Sequence, residues 1–461
     1  MFSFQKIKKI AIVSILFTMI FSSCSKWIDP DLNIHPDQAS EVPVSLLLPA
    51  LEQRIAYNLG GTDYTLYTSA WVQYVFFAAR SGATVGAGNI TESDINNLWN
   101  SLYNGAMMDA YQMINYEPSS NYSSLAKILM ALTLGSTTDV FGDVPYTQAF
   151  LGLENTQPAY DSQESIYQSI DVLLSEAITE LEANSTSVSN DFIYGGNIDS
   201  WIKAAYSLKA RYAIHLSHRD PNYATKTLSY ISKGFQSNDE DLTFWFNKAP
   251  SENSPIYQFA QQRGDVAFSN SFKDLLEAEN DPRLIIYQAY SGNTSDDCAG
   301  MYYGRPDGPV ELMTYTELMF IAAEAALANG DDGLAKTYVK EGITSSINKY
   351  MNMASLFNSS SEGYTRAEQY DSEAPAWLTT KLTEVDNTTL DLEYIIIQKY
   401  FSRFISPESY NDFRRTGFPT ITPYPNASIP MRYPYPTNER LYNTNLPKGT
   451  TKNTKIWWDN N

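Results

Sequence analysis

Apolar residues along much of this chain recur every three to four positions, the spacing that lines one face of a helix. Leu98, Leu102, Met108 and Tyr111 to Ile114 predict a helix over Asn97 to Tyr116, closed by Glu117-Pro118. Leu125, Ile128, Leu129 and Leu132 predict its partner over Ser123 to Ser136, with Gly135 near its end. A second pair runs over Ser162 to Glu182 (Ile166, Ile170, Leu173, Leu174, Ile178, Leu181) and Asp199 to Ser217 (Trp201, Ala204, Ala205, Leu208, Tyr212). Asp161 or Ser162 is suited to cap the first of these. Thr314 to Asn329 and Gly333 to Lys349 make a third pair around Gly330-Asp331-Asp332.

Helical pairs of this size, with Ala and Tyr on the contact face, are similar to tetratricopeptide units, which stack to bury a continuous core. Strand signals are few and short, at Leu242 to Phe246 and Leu284 to Tyr290. Two regions break the helical period. Phe235 to Gly308 is rich in Asn, Asp, Ser, Gly and aromatics, and Thr416 to Tyr442 carries Pro419, Pro423, Pro425, Pro430, Pro434 and Pro436. The expected fold is mainly α: a tetratricopeptide-like scaffold of helical pairs, covered by a long irregular region and holding few short strands.

The first residues follow another logic. Lys6, Lys8 and Lys9 precede the largely apolar run Ile10 to Phe21, and Ser22-Ser23 leads into Cys24. A basic start, a short apolar core and small residues form a secretory signal, too short to span a bilayer comfortably. Cys24 stands where a bacterial lipoprotein signal places its lipidated cysteine; an ordinary signal cut elsewhere is the alternative. The expected layout is a signal peptide over 1–23, a lipidated tether over 24–40 and one domain over 41–461.

Charge narrows the partners. The chain carries 32 basic against 52 acidic residues, a net of −20, and the segment before Cys24 holds three lysines and no acids. Such a protein is repelled by phosphate backbones, so no nucleic acid is expected as partner. Chemistry of the usual kinds is missing too. No Gly-rich phosphate loop or His/Cys metal cluster appears, and no catalytic, metal or cofactor residue is expected. His215 and His218 end a predicted helix, where they complement its dipole, and His35 lies in the tether. Cys298 has no neighbouring His and reads as an inert thiol. Whether a calcium ion occupies an Asp-rich loop such as Asp296-Asp297 stays open.

Five segments together resemble the SusD/RagB family of nutrient-binding outer-membrane lipoproteins. They are Leu98-Trp99 through Tyr103, Asp139-Val140-Phe141-Gly142-Asp143-Val144-Pro145-Tyr146, the run Glu317 to Ala325, Tyr410 to Pro419, and Pro430-Met431-Arg432-Tyr433-Pro434-Tyr435-Pro436. Read physically they are scaffold. Gly142 and Pro145 force a turn, Asp139 can bond nearby amides, and Arg414 and Arg415 can clamp the Pro-rich segment. The resemblance implies a non-enzymatic surface protein that captures oligosaccharide, or in some branches peptide, above a SusC-like TonB-dependent β-barrel transporter. A secreted carboxylate-dependent hydrolase or peptidase and a purely structural repeat protein are the alternatives.

With 33 Tyr and 8 Trp against 18% charged residues, the chain is well supplied with rings that can stack on sugar C–H faces. One candidate site is Trp71, Gln73 and Tyr74, with Phe76 and Phe77, on a helix leading to Arg80 and a Gly-rich loop. The second is Arg263 and Asp265, after Gln261 and Gln262, together with Tyr302, Tyr303 and Arg305. Trp377 is a further possible platform. Trp245 is another, although its apolar surroundings point to the core.

Overall fold

The computed structural model describes residues 42–288, 299–359, 361–423 and 428–459. The expected signal and tether, with Cys24 and His35, and also Asp296, Asp297 and Cys298, lie outside the described residues. Val44–Asn461 forms one of two units, the other being Met1–Pro43. Among the described residues no helix is long and apolar enough to cross a membrane.

The expected helical pairs are present. Gln163–Ala183 starts at Ser162, whose hydroxyl accepts from the Ser165 amide. Tyr315–Ala328 and Asp332–Lys349 form a hairpin; Thr314 caps the first and Asp331 the second. The 96–116 stretch is helical throughout, with a π-helical segment over Leu102–Met107.

The Asn121–Phe141 helix departs from expectation, running beyond Ser136 to Gly142, whose φ is 77°. It packs against both Met108–Tyr116 and Gln163–Ala183, so all its residues but Tyr122 are buried. Gly135 does not stop it. A Cβ there would lie 2.2 Å from the Tyr212 hydroxyl, so the glycine serves a close approach to the Ile198–His215 helix.

The region from 235 to 308 is more regular than its composition suggests. Pro255–Arg263 is a helix capped by Ser254 and ended by Gly264 at φ 59°, and Asn270–Ala278 is another. The run expected as a strand from Leu284 is instead the short helix Arg283–Tyr287. It follows Pro282, and the Asp281 carboxylate accepts from the Arg283 amide and pairs with its guanidinium, closing a turn that an apolar run alone cannot reveal.

Among the described residues four short strands make two ribbons: β1 (Val75–Phe77), β2 (Leu242–Trp245), β3 (Val266–Phe268) and β4 (Pro309–Met313). β1 pairs antiparallel with β3, Phe77 opposite Val266. β2 pairs antiparallel with β4, setting Thr243 opposite Glu311 and Trp245 opposite Pro309.

The Pro-rich tail lies on the helices through backbone-directed bonds. Arg414 donates to Met431 O at 3.0 Å and Asp139 O at 2.7 Å, and Arg432 donates to Phe141 O. The clamp expected of Arg414 is therefore present. Asp139 differs: its buried carboxylate accepts from Tyr167 Oη, Trp458 Nε1 and the Asn411 side chain rather than from backbone amides. Amide binding falls to Asp143, which accepts from Gln163 N, and to Asp161, which accepts from Tyr146 N and Thr147 N.

Candidate ligand-binding cleft

The first candidate segment divides between core and surface. The chain leaves its helix at Trp71 and turns at Gln73, where φ is 64°, into β1, so Trp71 to Phe77 is not one helix. Trp71 is 2% exposed, donates to Val85 O at 2.8 Å and packs on Tyr410 and Tyr433. Tyr74 is fully buried, stacked 4.4 Å from Tyr400 and donating to Tyr400 O. Neither ring can meet a ligand. Gln73 donates to Thr422 O at 2.7 Å and so holds the tail.

Arg80 opens the helix Arg80–Gly86 where a loop was expected, and its side chain is 54% exposed. The β1–β3 ribbon brings it to Asp265, with Nε 3.8 Å from the carboxylate, while Arg263 is exposed at the preceding helix end. Both arginines are thus exposed, whereas Asp265, beside Arg80, is buried. A groove of about 230 Å³ lies along the same helix, between Gln258, Phe259 and Gln262 on one side and Tyr57, Asp63 and Asn97 on the other. Burial pushes the Asp63 carboxyl up to about 6.

Tyr302 and Tyr303 occupy the short helix Gly300–Tyr303 and are buried, not free in a loop. Gly300 has φ 61°, and a Cβ there would meet Ile286 O at 2.3 Å; the backbone is pressed inward and carries both rings with it. Tyr303 donates to Glu311 at 3.0 Å. Arg305 is paired with Asp307 at 2.7 Å and packs over Phe357. Trp377 donates to Glu279 O at the edge of the core.

Tyr302 leads to the larger opening, a cleft of about 560 Å³ beside the β2–β4 ribbon. Along β2 the side chains alternate. Leu242 and Phe244 point into the core with Phe246 beyond them, while Trp245 is turned outward and is 52% exposed. Its ring stands edge-on to Tyr302 at 6.1 Å, and Tyr302 is braced by Tyr303 at 4.9 Å and Tyr350 at 5.1 Å. The indole is thus an open face fixed on a rigid aromatic stack. Period-two alternation in Leu242 to Phe246 was the signal that could have marked it as outward-facing.

Polar groups complete the cleft. In the floor, Lys349 Nζ lies 2.9 Å from Asp241 and 2.7 Å from Glu311, which also binds Arg403 at 2.8 Å. Burial pushes Asp241 up to about 6 against the pull of Lys349. Burial also works against the Glu311 charge, but Lys349 and Arg403 outweigh it and hold that carboxyl below its usual range. In the wall, Asn238 donates to Ser345 O at 2.8 Å, and its Oδ1 is buried with no hydrogen-bond partner among the described residues. Asp239 and Asn348 stand exposed at the rim. Tyr194 closes the far side, held by its bond to Glu240 O.

Asp139, His215 and Glu408 bring three metal-ligating atoms together in the core. Existing partners already use them: Tyr167 and Trp458 donate to Asp139, His215 Nε2 meets Glu408 at 2.9 Å, and Arg211 lies 4.0 Å from Glu408. The cluster fits an ion-pair network better than a metal. His215 ends the Ile198–His215 helix as expected and is at the same time a buried bridge between Tyr167 and Glu408; His218 meets Arg415 O at 2.8 Å.

The sequence matches the SusD-like family model described as starch-binding, associating with outer membrane, over residues 36–311 and 305–436. No curated protein matches it. Among solved structures, a SusD/RagB family protein from Bacteroides thetaiotaomicron is 26% identical with TM-score 0.71, covering 91% of this chain and 99% of its own. A SusD homolog from Bacteroides fragilis is 23% identical with TM-score 0.72, covering 91% and 99%. A chitin-binding SusD homolog from Flavobacterium johnsoniae is 21% identical with TM-score 0.71, again covering 91% and 99%. The last two show the shared fold alone.

Proposed function

The chain belongs to the SusD-like family, starch-binding and associating with the outer membrane, and on that premise we propose that it captures an oligosaccharide at the Trp245 cleft. In this reading it is a non-enzymatic lipoprotein, anchored through Cys24 on the outer face of the outer membrane. It delivers its cargo to a SusC-like TonB-dependent barrel. The observation that carries the cleft assignment is the indole of Trp245, half open to solvent and braced from behind by Tyr302. A sugar ring lays its apolar C–H face on such a surface and turns its hydroxyls toward polar side chains. Asn238, Asp239 and Asn348 supply those here. The chitin-binding relative lends support to a glycan as ligand.

The floor lends support to binding rather than hydrolysis. Glycoside hydrolysis needs one carboxyl as proton donor and another facing the sugar. Asp241 and Glu311 are instead both committed to one lysine.

Calorimetry with maltopentaose and chitopentaose tests the assignment. Trp245→Ala is expected to weaken the binding oligomer roughly thirty-fold, about 2 kcal/mol, as removal of an aromatic anchor does. Unchanged affinity in that variant refutes the cleft assignment. Failure of the wild-type protein to bind either oligomer, with binding to a peptide panel instead, refutes the glycan reading.

A further inference from the structure

We propose that the Trp245 cleft takes uncharged or cationic oligosaccharides and rejects anionic ones, those bearing uronate or sulfate groups. The inference rests on the glycan reading above and concerns which glycans that site accepts.

Two independent features of the lining point the same way. The first is charge. Asp239, Asp241 and Glu311 line the cleft, against Lys349 as the cation of that lining. Lys349 spends two of its three N–H bonds on Asp241 and Glu311. The field at the mouth is therefore set by Asp239 at the rim, and it adds to a whole-chain charge of −20. A concave surface with low-dielectric walls focuses such a field onto whatever enters.

The second feature is hydrogen-bonding sense. Asn238 spends one of its two amide N–H bonds on Ser345 O, and its buried Oδ1 has no hydrogen-bond partner among the described residues. The Asp239 carboxylate is likewise an acceptor. Of the two, the Asp239 carboxylate is the one open at the rim, and a group that meets it must supply donors. Sugar hydroxyls, acetamido N–H and ammonium groups do so; carboxylate and sulfate oxygens cannot. Beside Asp239 an anionic ring would bring acceptor against acceptor as well as like charge against like.

A matched pair of probes tests this. Maltopentaose and chitopentaose are compared with the same oligomers after oxidation of their primary alcohols to carboxylates, by calorimetry at low and at physiological salt. The oxidised form of whichever oligomer binds is expected to be at least tenfold weaker at low salt, and the gap to shrink as salt screens it. Asp239→Asn should narrow the ratio between the two forms at least threefold, and partly deacetylated chitopentaose should bind at least as well as its neutral parent. Equal or tighter binding of the oxidised oligomer, still lost in Trp245→Ala, overturns the selectivity and leaves the glycan reading standing. Failure of both neutral oligomers to bind overturns the cleft reading and the selectivity with it.

Discussion

Glu52 offers a test of how the wall of the cleft is held. It is fully buried on the Val44–Leu59 helix, where Oε2 accepts from the Phe192 amide at 2.9 Å and Oε1 is sealed from solvent. Asp191 stands beside it, accepting from the amides of Ile193, Tyr194 and Gly196 and from Trp201 Nε1. Those bonds shape the turn that carries Tyr194 to the cleft. Burial first, and the Asp191 charge second, push the Glu52 carboxyl up from 4.5 to about 9. At neutral pH the folded protein therefore holds a proton on Glu52 that the unfolded chain has released.

The sign follows directly. A carboxyl whose pKa rises on folding stabilises the fold below its unfolded value, and that contribution is lost as pH climbs toward the folded value. Each pH unit between about 4.5 and 9 removes about 1.4 kcal/mol, which makes roughly 3 kcal/mol by pH 7. Glu52→Gln keeps the shape, supplies an N–H toward Asp191 and keeps an oxygen for the Phe192 amide. Urea unfolding of both proteins at pH 5, 7 and 9 is the assay. The variant should match wild type near pH 5, exceed it by about 1 to 3 kcal/mol at pH 7, and exceed it further at pH 9. Asp63 and Asp241, each pushed up to about 6, contribute to both proteins and cancel in the difference. A variant less stable at every pH, or one whose stability falls with pH as steeply as wild type, refutes the account of a protonated Glu52.

Two other perturbations test the tail and the anchor. Arg414→Met removes the donor to Asp139 O and Met431 O and leaves those carbonyls without it; a loss of about 3 kcal/mol is expected, with protease cutting near 430–436 well before global unfolding. Cutting elsewhere first contradicts the clamp. Cys24→Ala should move the protein from the membrane fraction to the medium or periplasm, and retention in the membrane rules out the acyl anchor.

What was legible in the sequence was local. Apolar stripes located the helices because one face of each must be buried, and the Ser162 and Thr314 caps were or could be read one residue at a time. Misreadings arose where a distant residue decides. Gly135 looks like a stop until Tyr212 is seen to need the space. Trp245 looks like core until the ribbon shows that Phe244 takes the inner face. Tyr302 and Tyr303 look exposed beside glycines, yet Gly300 is what lets their backbone sink against Ile286 O. The approach of Arg80 to Asp265 depends on pairing β1 with β3 across nearly two hundred residues, which neither segment's pattern announces.

Charge was the property least visible, because the decisive acids and bases are inside. From the cleft floor the pairs run Asp241–Lys349–Glu311–Arg403–Glu317–Arg211–Glu408–His215–Asp139, each link within 4.0 Å. Arg415, joined to Glu324 and Asp412, forms a second buried cluster with Lys399. Three of the segments by which the family resemblance was recognised meet in these pairs, contributing Asp139, Glu317 with Glu324, and Asp412 with Arg415. Removing one member of a buried pair strands its partner's charge, at a cost of about 3 to 5 kcal/mol, which constrains such residues tightly. Trp245, Asp239 and Asn348 lie outside the network and can change without stranding a charge. The motifs therefore report the fold, and the ligand has to be read from residues the motifs leave out.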